Sequence, residues 1–150
     1  MANQVQVIPQ PSSQQVTDAS TPLLWIKTLF PFDLFPEEII VDRFKIDVIK
    51  KDFFATQSVQ TIPLNGTVNI KVYKSLFFSS VEITDTSSGN RAKVEKLSAK
   101  DAEVLRKLIE GLVVGINQGI NFINMSTEEV NKNALNWGSI EKKDAPIQSA

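Results

Sequence analysis

The sequence predicts a mainly β fold with an added α-helix: six or so short antiparallel strands curling into a small barrel or sandwich, then one amphipathic helix. Three observations predict it. The stretch from Glu38 to Leu97 is dense in Val, Ile, Phe and Thr and poor in Ala and Leu, which suits pleated, half-buried strands. Turn-forming residues interrupt it about every ten positions. Beyond Leu97 the apolar spacing changes from every second residue to every third and fourth, the period of a helix. With 150 residues, 42% of them apolar, the chain has one domain's length and enough apolar material for a core.

The elements follow in order. Met1 to about Thr21 is rich in Gln, Ser, Pro and Thr, with one charge at Asp18. It cannot bury enough apolar surface to offset its ordering entropy, so residues 1–21 are expected to form a disordered arm. The arm has no basic region followed by an apolar one, so it does not read as a secretory signal. Residues 22–36 form an apolar segment. Thr21-Pro22 suits the start of a short helix, surrounded on nearly all sides by Leu23, Leu24, Trp25, Ile26, Leu29 and Phe30, with Phe32, Leu34 and Phe35 following.

In the strand region, Ile46, Val48 and Lys50 alternate with Asp47, Ile49 and Lys51, and the run Val59 to Pro63 follows Asp52-Phe53-Phe54. Two antiparallel strands joined near Lys51-Asp52 account for this. Asn65-Gly66 is a strong turn signal, since both residues tolerate positive φ. Val68, Ile70 and Val72 then face one way, with Asn69, Lys71 and Tyr73 facing the other. The runs Phe77 to Thr84 and Arg91 to Leu97 flank Ser87-Ser88-Gly89-Asn90, a hairpin-loop composition.

The helix after Leu97 is the best-specified element. Ser98 can cap it, with Asp101 favouring its positive end, and Leu105, Leu108, Ile109, Leu112, Val113 and Ile116 make a continuous apolar stripe. Gly111, Gly115 and Gly119 each weaken it by up to about 1 kcal/mol relative to Ala, so fraying is expected between Gly115 and Met125. The domain is thus expected over 22–125. In 126–150, Ser126-Thr127-Glu128-Glu129 opens a short, weak helix ending near Trp137-Gly138, and a flexible tail follows.

Composition removes whole classes of function. Cysteine and histidine are both absent. Thiolate and imidazole metal ligands, Cys nucleophiles and every His-based acid–base mechanism are therefore excluded. Glu37-Glu38 and Glu128-Glu129 are sequence neighbours whose side chains point to different faces, so neither reads as an acid–base pair. No phosphate-binding glycine motif or nucleophile elbow is present. The expectation is no catalysis, no metal and no cofactor. Sixteen basic against 17 acidic side chains leave a net charge of −1, which argues against nucleic acid as a partner. No window approaches the roughly 20 apolar residues of a spanning helix. Without cysteine as redox evidence, the default location is cytoplasmic.

A family resemblance lies in the run Ile39 to Val114. Ile39-Ile40-Val41-Asp42, the basic turn Arg43-Phe44-Lys45 and Ile46 to Lys51 look like an opening hairpin. After it come Ile62-Pro63-Leu64, the alternation Val68-x-Ile70-x-Val72, Phe77-Phe78 before Val81-x-Ile83, and the helix from Ser98. This order resembles the bacterial pleckstrin-homology (PH)-like domain family, in the short single-domain form of small-genome bacteria. The chain departs from that pattern where it has Asp52 and Ser79 in place of glycines. The segment Leu29 to Pro36 is similar to a stretch in the same short proteins. The resemblance implies a partly open β-barrel of about six to seven antiparallel strands, capped by one C-terminal amphipathic helix. It also implies binding or scaffolding, not catalysis.

Two groups of residues are candidates for contact. Leu24, Trp25, Lys27, Phe30, Phe32 and Phe35 could form an interfacial anchor for a protein partner or a membrane, with Trp25 and Lys27 at headgroup level. The plainer reading, which the rarity of large exposed apolar patches favours, is that they cover the open end of the barrel or the C-terminal helix. Arg43, Lys45, Lys50 and Lys51, with Lys71 and Lys74, could meet an anionic surface. Asp42, Asp47 and Asp52 interleave with them, which favours a solvated, salt-bridged face. Nine Phe against two Trp and one Tyr read as core composition. The expected function is a non-catalytic PH-like binding or scaffolding module on a protein partner or the inner face of the cell membrane. The alternative is a structural protein that self-assembles into homo-oligomers or rings through exposed strand edges.

Overall fold

The structure, a computed structural model, describes residues 21–140 apart from residue 55; the expected arm up to residue 20 and the tail from 141 lie outside the described residues. Among the described residues seven strands form: β1 (Leu24–Lys27), β2 (Glu38–Val41), β3 (Lys45–Lys51), β4 (Gln57–Pro63), β5 (Val68–Lys74), β6 (Ser79–Asp85) and β7 (Arg91–Leu97). Two helices follow, α1 (Ala99–Asn117) and α2 (Thr127–Ile140). All strand pairs are antiparallel, in a four-stranded sheet ordered β1-β2-β3-β4 and a three-stranded sheet ordered β5-β6-β7. The expected mainly β architecture with six to seven antiparallel strands and a capped C-terminal helix is met. The strands nevertheless lie in two sheets and do not close into a barrel, because β4 and β5 leave each other through the turn at Asn65-Gly66 without pairing. That turn needs no positive φ: the Asn65 Oδ1 accepts hydrogen bonds from the Thr67 N–H (2.9 Å) and hydroxyl (2.6 Å).

The core is aliphatic. Ile39, Val41, Ile46, Val48 and Ile62 from the first sheet face Val81, Ile83 and Val94 from the second, all essentially inaccessible to water. They sit at alternate strand positions, as a pleated strand with one buried face requires. Two sequence expectations change here. Thr21-Pro22 starts no helix: residues 24–27 pair with β2 as a strand, putting Ile26 inside and Trp25 and Lys27 outside. The nine phenylalanines are not the core. Only Phe122 is buried, Phe78 is half-buried and the other seven are exposed, because β-branched side chains already fill the strand positions while most phenylalanines sit in connections.

Helix α1 begins as the sequence predicts, with the Ser98 Oγ accepting from the Asp101 N–H at 3.0 Å. It buries Ala102, Leu105, Leu108, Ile109 and Leu112 and lies over β5 and β6. In place of fraying, it stops at a defined cap. Gly119 takes φ +76°, its N–H meets the Ile116 carbonyl, and the Ile120 N–H meets the Gly115 carbonyl, both at 2.9 Å. Helix α2 opens on a reciprocal capping box between Ser126 and Glu129. It packs closely along α1 through small residues: a Cβ on Gly111 would stand 1.7 Å from the Ala134 carbonyl oxygen, and one on Gly138 2.0 Å from that of Lys107. Val130 and Ala134 join the core, and the Asn131 amide donates to the Leu23 carbonyl at 3.1 Å, tying α2 to the start of β1.

One carboxylate organises the end of the fold where β4 crosses to β5. Asp85, 2% exposed, accepts hydrogen bonds from the hydroxyls of Thr67 (2.6 Å), Ser87 (2.7 Å) and Ser88 (2.6 Å) and from the Ser87 N–H (3.0 Å). It thereby fastens the β4–β5 crossover to the β6–β7 hairpin. These bonds hold its carboxyl far below the ordinary aspartate range.

Candidate functional site

Hairpin connectivity sorts the loops by end. The chain reverses after every strand, so the β1–β2, β3–β4 and β5–β6 loops emerge together, opposite Asp85. Ring contacts confirm that they meet. Phe32 of the first loop lies edge-on to Phe78 of the third at 5.0 Å between centroids, and Phe35 of the first meets Phe53 of the second at 5.5 Å. Phe53 in turn contacts Phe54 at 5.8 Å.

These loops protrude. Phe30, Phe53, Phe54 and Phe77 are 74–88% exposed and Leu76 is 87% exposed, with Phe32 and Leu34 little less so. The first loop is held in shape from within: the Thr28 hydroxyl donates to Asp33 Oδ2 at 2.8 Å, and the Glu37 N–H donates to the Thr28 Oγ1 at 2.9 Å. Its start is tied to the second sheet by the Leu29 N–H on the Lys96 carbonyl at 3.0 Å. Lys96 itself sits at φ 61° within a bulge of β7, a backbone region that costs energy for a residue with a Cβ. The Phe30–Pro31 peptide is cis.

Of the six apolar-segment candidates, Phe30, Phe32 and Phe35 stand in this loop end. Trp25 and Lys27 lie on the outer face of the first sheet just behind it, and Leu24 is half-buried against the core at the far end of β1. Leu23 and Ile26 are buried, so the covering role weighed from sequence falls to them while the rings stay uncovered. The Trp25 indole donates to Glu38 Oε2 at 2.9 Å, and the Lys27 ammonium stacks over the Trp25 ring at 4.8 Å.

The four basic candidates do not converge. Arg43 is buried, donating to the Met125 carbonyl at 3.0 Å and the Thr127 hydroxyl at 3.2 Å, so it joins the β2–β3 turn to the α1–α2 connection and offers nothing to an anionic surface. Lys45 pairs with Asp47 at 2.6 Å at that same end. Lys50 and Lys51 lie at the opposite end of β3, beside Glu37 (3.4 Å) and Glu38 (2.6 Å). The Lys51 ammonium is the main reason the Glu38 carboxyl lies below its ordinary value, with Trp25 and Lys27 assisting against the opposing effect of burial.

Sequence reasoning did not single out Phe53, Phe54, Leu76 and Phe77, which the structure leaves exposed at this end. For Phe53-Phe54 the signal was present, since the pair sits beside the turn predicted near Lys51-Asp52, where a large apolar side chain has no strand face to bury it; Phe77 was instead read as the start of a strand that begins only at Ser79. Four surface concavities of roughly 210 to 270 Å3 fall below the usual size of small-molecule sites. Among the described residues no group of three or more acidic side chains could hold a metal ion, and no helix is long and apolar enough to cross a membrane. No protein-family model, no curated protein and no solved structure matches the chain.

Proposed function

We propose that the chain is a non-catalytic docking module of PH-like type that binds through the phenylalanine end formed by its three same-side loops. The observation that carries this reading is the exposure of eight large apolar side chains, Phe30 to Phe35 and Phe53, Phe54, Leu76 and Phe77, on loops that touch one another. Exposed apolar clusters of this extent mark interaction surfaces. Covering such side chains contributes roughly 1.5–3 kcal/mol each, enough for six or more to offset the cost of association. Seven antiparallel strands followed by a capped amphipathic helix also support the PH-like reading.

The absence of cysteine makes the test clean. A bimane label on Phe54→Cys or Phe77→Cys reports the loop end, and one on Ser88→Cys reports the opposite end. Each is titrated with membranes and with membrane-free extract of the source cells. A blue shift at 54 and 77 but not at 88, in either fraction, relieved by unlabelled wild-type protein but not by an unlabelled Phe53→Ser/Phe54→Ser variant, supports docking. Silence at both loop positions overturns it.

Self-assembly through strand edges is a second reading, favoured by β4, which is exposed on both faces from Gln57 to Thr61 at the edge of its sheet. Light scattering several-fold above 16.7 kDa supports it, and a monodisperse monomer removes it.

A further inference from the structure

We infer that the surface the loop end docks on is a lipid bilayer, entered by the loop phenylalanines to the depth of the acyl chains. This rests on the docking reading above and names its partner. Three features favour a bilayer over a protein or a second copy.

The first is shape. Phe30, Phe54, Leu76 and Phe77 stand on three loops, each more than two-thirds exposed, so the end presents several projecting apolar side chains. A fluid bilayer accommodates separate projections, whereas two such ends facing each other would touch only at their tips. The second is chemistry. The projecting side chains are Phe and Leu, which lack polar atoms, while protein hot spots favour Trp, Tyr and Arg.

The third is the order of polarity along the axis. Three of the strands that run toward the loops, β1, β3 and β5, end in a lysine, at Lys27, Lys51 and Lys74. The amphipathic aromatics sit at or behind that level. Trp25 is 58% exposed and two residues, about 7 Å, before Lys27; Tyr73 is 48% exposed and one residue before Lys74. Apolar tips, then lysines with Trp and Tyr, is the sequence of layers from acyl chains to headgroups, where Trp and Tyr gather. A protein partner imposes no such order.

Charge then decides the kind of binding. Asp33, Glu37, Glu38 and Asp52 lie among these lysines, and Lys27, Lys50 and Lys51 face Glu37 and Glu38 within 2.6–3.5 Å. The collar is nearly neutral, so insertion of apolar side chains drives binding, and attraction to anionic lipid adds little.

The test uses the full chain with phosphatidylcholine vesicles and with vesicles containing one quarter phosphatidylglycerol. Bimane at 54 and 77 is expected to shift blue and to be quenched by lipids brominated on the acyl chain, with no change at 88. Phe53→Ser/Phe54→Ser and, on another loop, Phe77→Ser are each expected to lower partitioning by about tenfold or more, with unchanged urea midpoints. Raising the salt from low to high ionic strength changes it by less than about threefold. The inference is overturned if the wild type binds neither vesicle, if loop variants bind equally, or if the label at 88 responds instead. If vesicles are not bound but positions 54 and 77 still respond to membrane-free extract, the bilayer inference fails and the docking reading stands. Silence in both overturns both.

Discussion

Gly111 and Ala134 touch where the two helices cross: the Ala134 carbonyl oxygen occupies the space a side chain at 111 would need, 1.7 Å from where its Cβ would stand. The glycines of α1, which by helix propensity alone only weaken it, are what let α2 lie against it. Helix α2 in turn brings Asn131 to the Leu23 carbonyl and so steadies β1, the strand that leads into the largest of the three loops at the phenylalanine end.

Gly111→Ala is therefore expected to destabilise the fold by about 1–3 kcal/mol, although the same change in an isolated helix is favourable. The urea midpoint followed by Trp137 emission, in a Trp25→Phe background, measures it, and an unchanged or raised midpoint contradicts the packing described. Gly138→Ala, against the Lys107 carbonyl, is expected to behave alike.

Asp85 makes stability fall in acid. Its carboxyl is depressed in the folded state, so the unfolded chain takes up a proton first as pH drops. The stabilisation is complete above the ordinary aspartate value near 3.9 and is lost progressively below it. Asp85→Asn is expected to be less stable than wild type at pH 7 and to show a shallower decline between about pH 5 and 2. Parallel acid limbs for the two proteins contradict this.

Ser98→Ala removes the hydroxyl that accepts from the Asp101 N–H and donates to the Asp101 carboxylate, and is expected to cost about 1 kcal/mol, with Ser98→Thr, which keeps the hydroxyl, recovering most of it. Thermal melts of the three proteins give the order directly.

The loop end is expected to be silent in folding. Phe53→Ser/Phe54→Ser should move stability by no more than about 0.5 kcal/mol per site, whereas Ile46→Ala, at a fully buried position, should cost about 2–5 kcal/mol. A large loss from the loop pair would mean that the rings support the fold as well as stand on it.

Much of this architecture was legible in the sequence because it follows local rules. The alternation at Val68, Ile70 and Val72, the hairpin at Ser87 to Asn90 and the Ser98 cap appear where they were read. What was not legible depends on neighbours distant in the chain. Residues 24–27 look helical until β2 is beside them. Gly111 reads as a defect until α2 lies on it. Arg43 looks like a surface cation until the α1–α2 connection covers it. The phenylalanines misled for another reason: composition counts side chains without saying which stand on a strand face and which on a turn.

The reversal of the chain after every strand has a consequence for how such a protein can change. Its odd and even connections never share an end, so those at one pole can lengthen, shorten or exchange their side chains without disturbing the Asp85 knot at the other. Selection can rewrite the surface these loops present while the part that keeps the molecule folded is inherited unaltered.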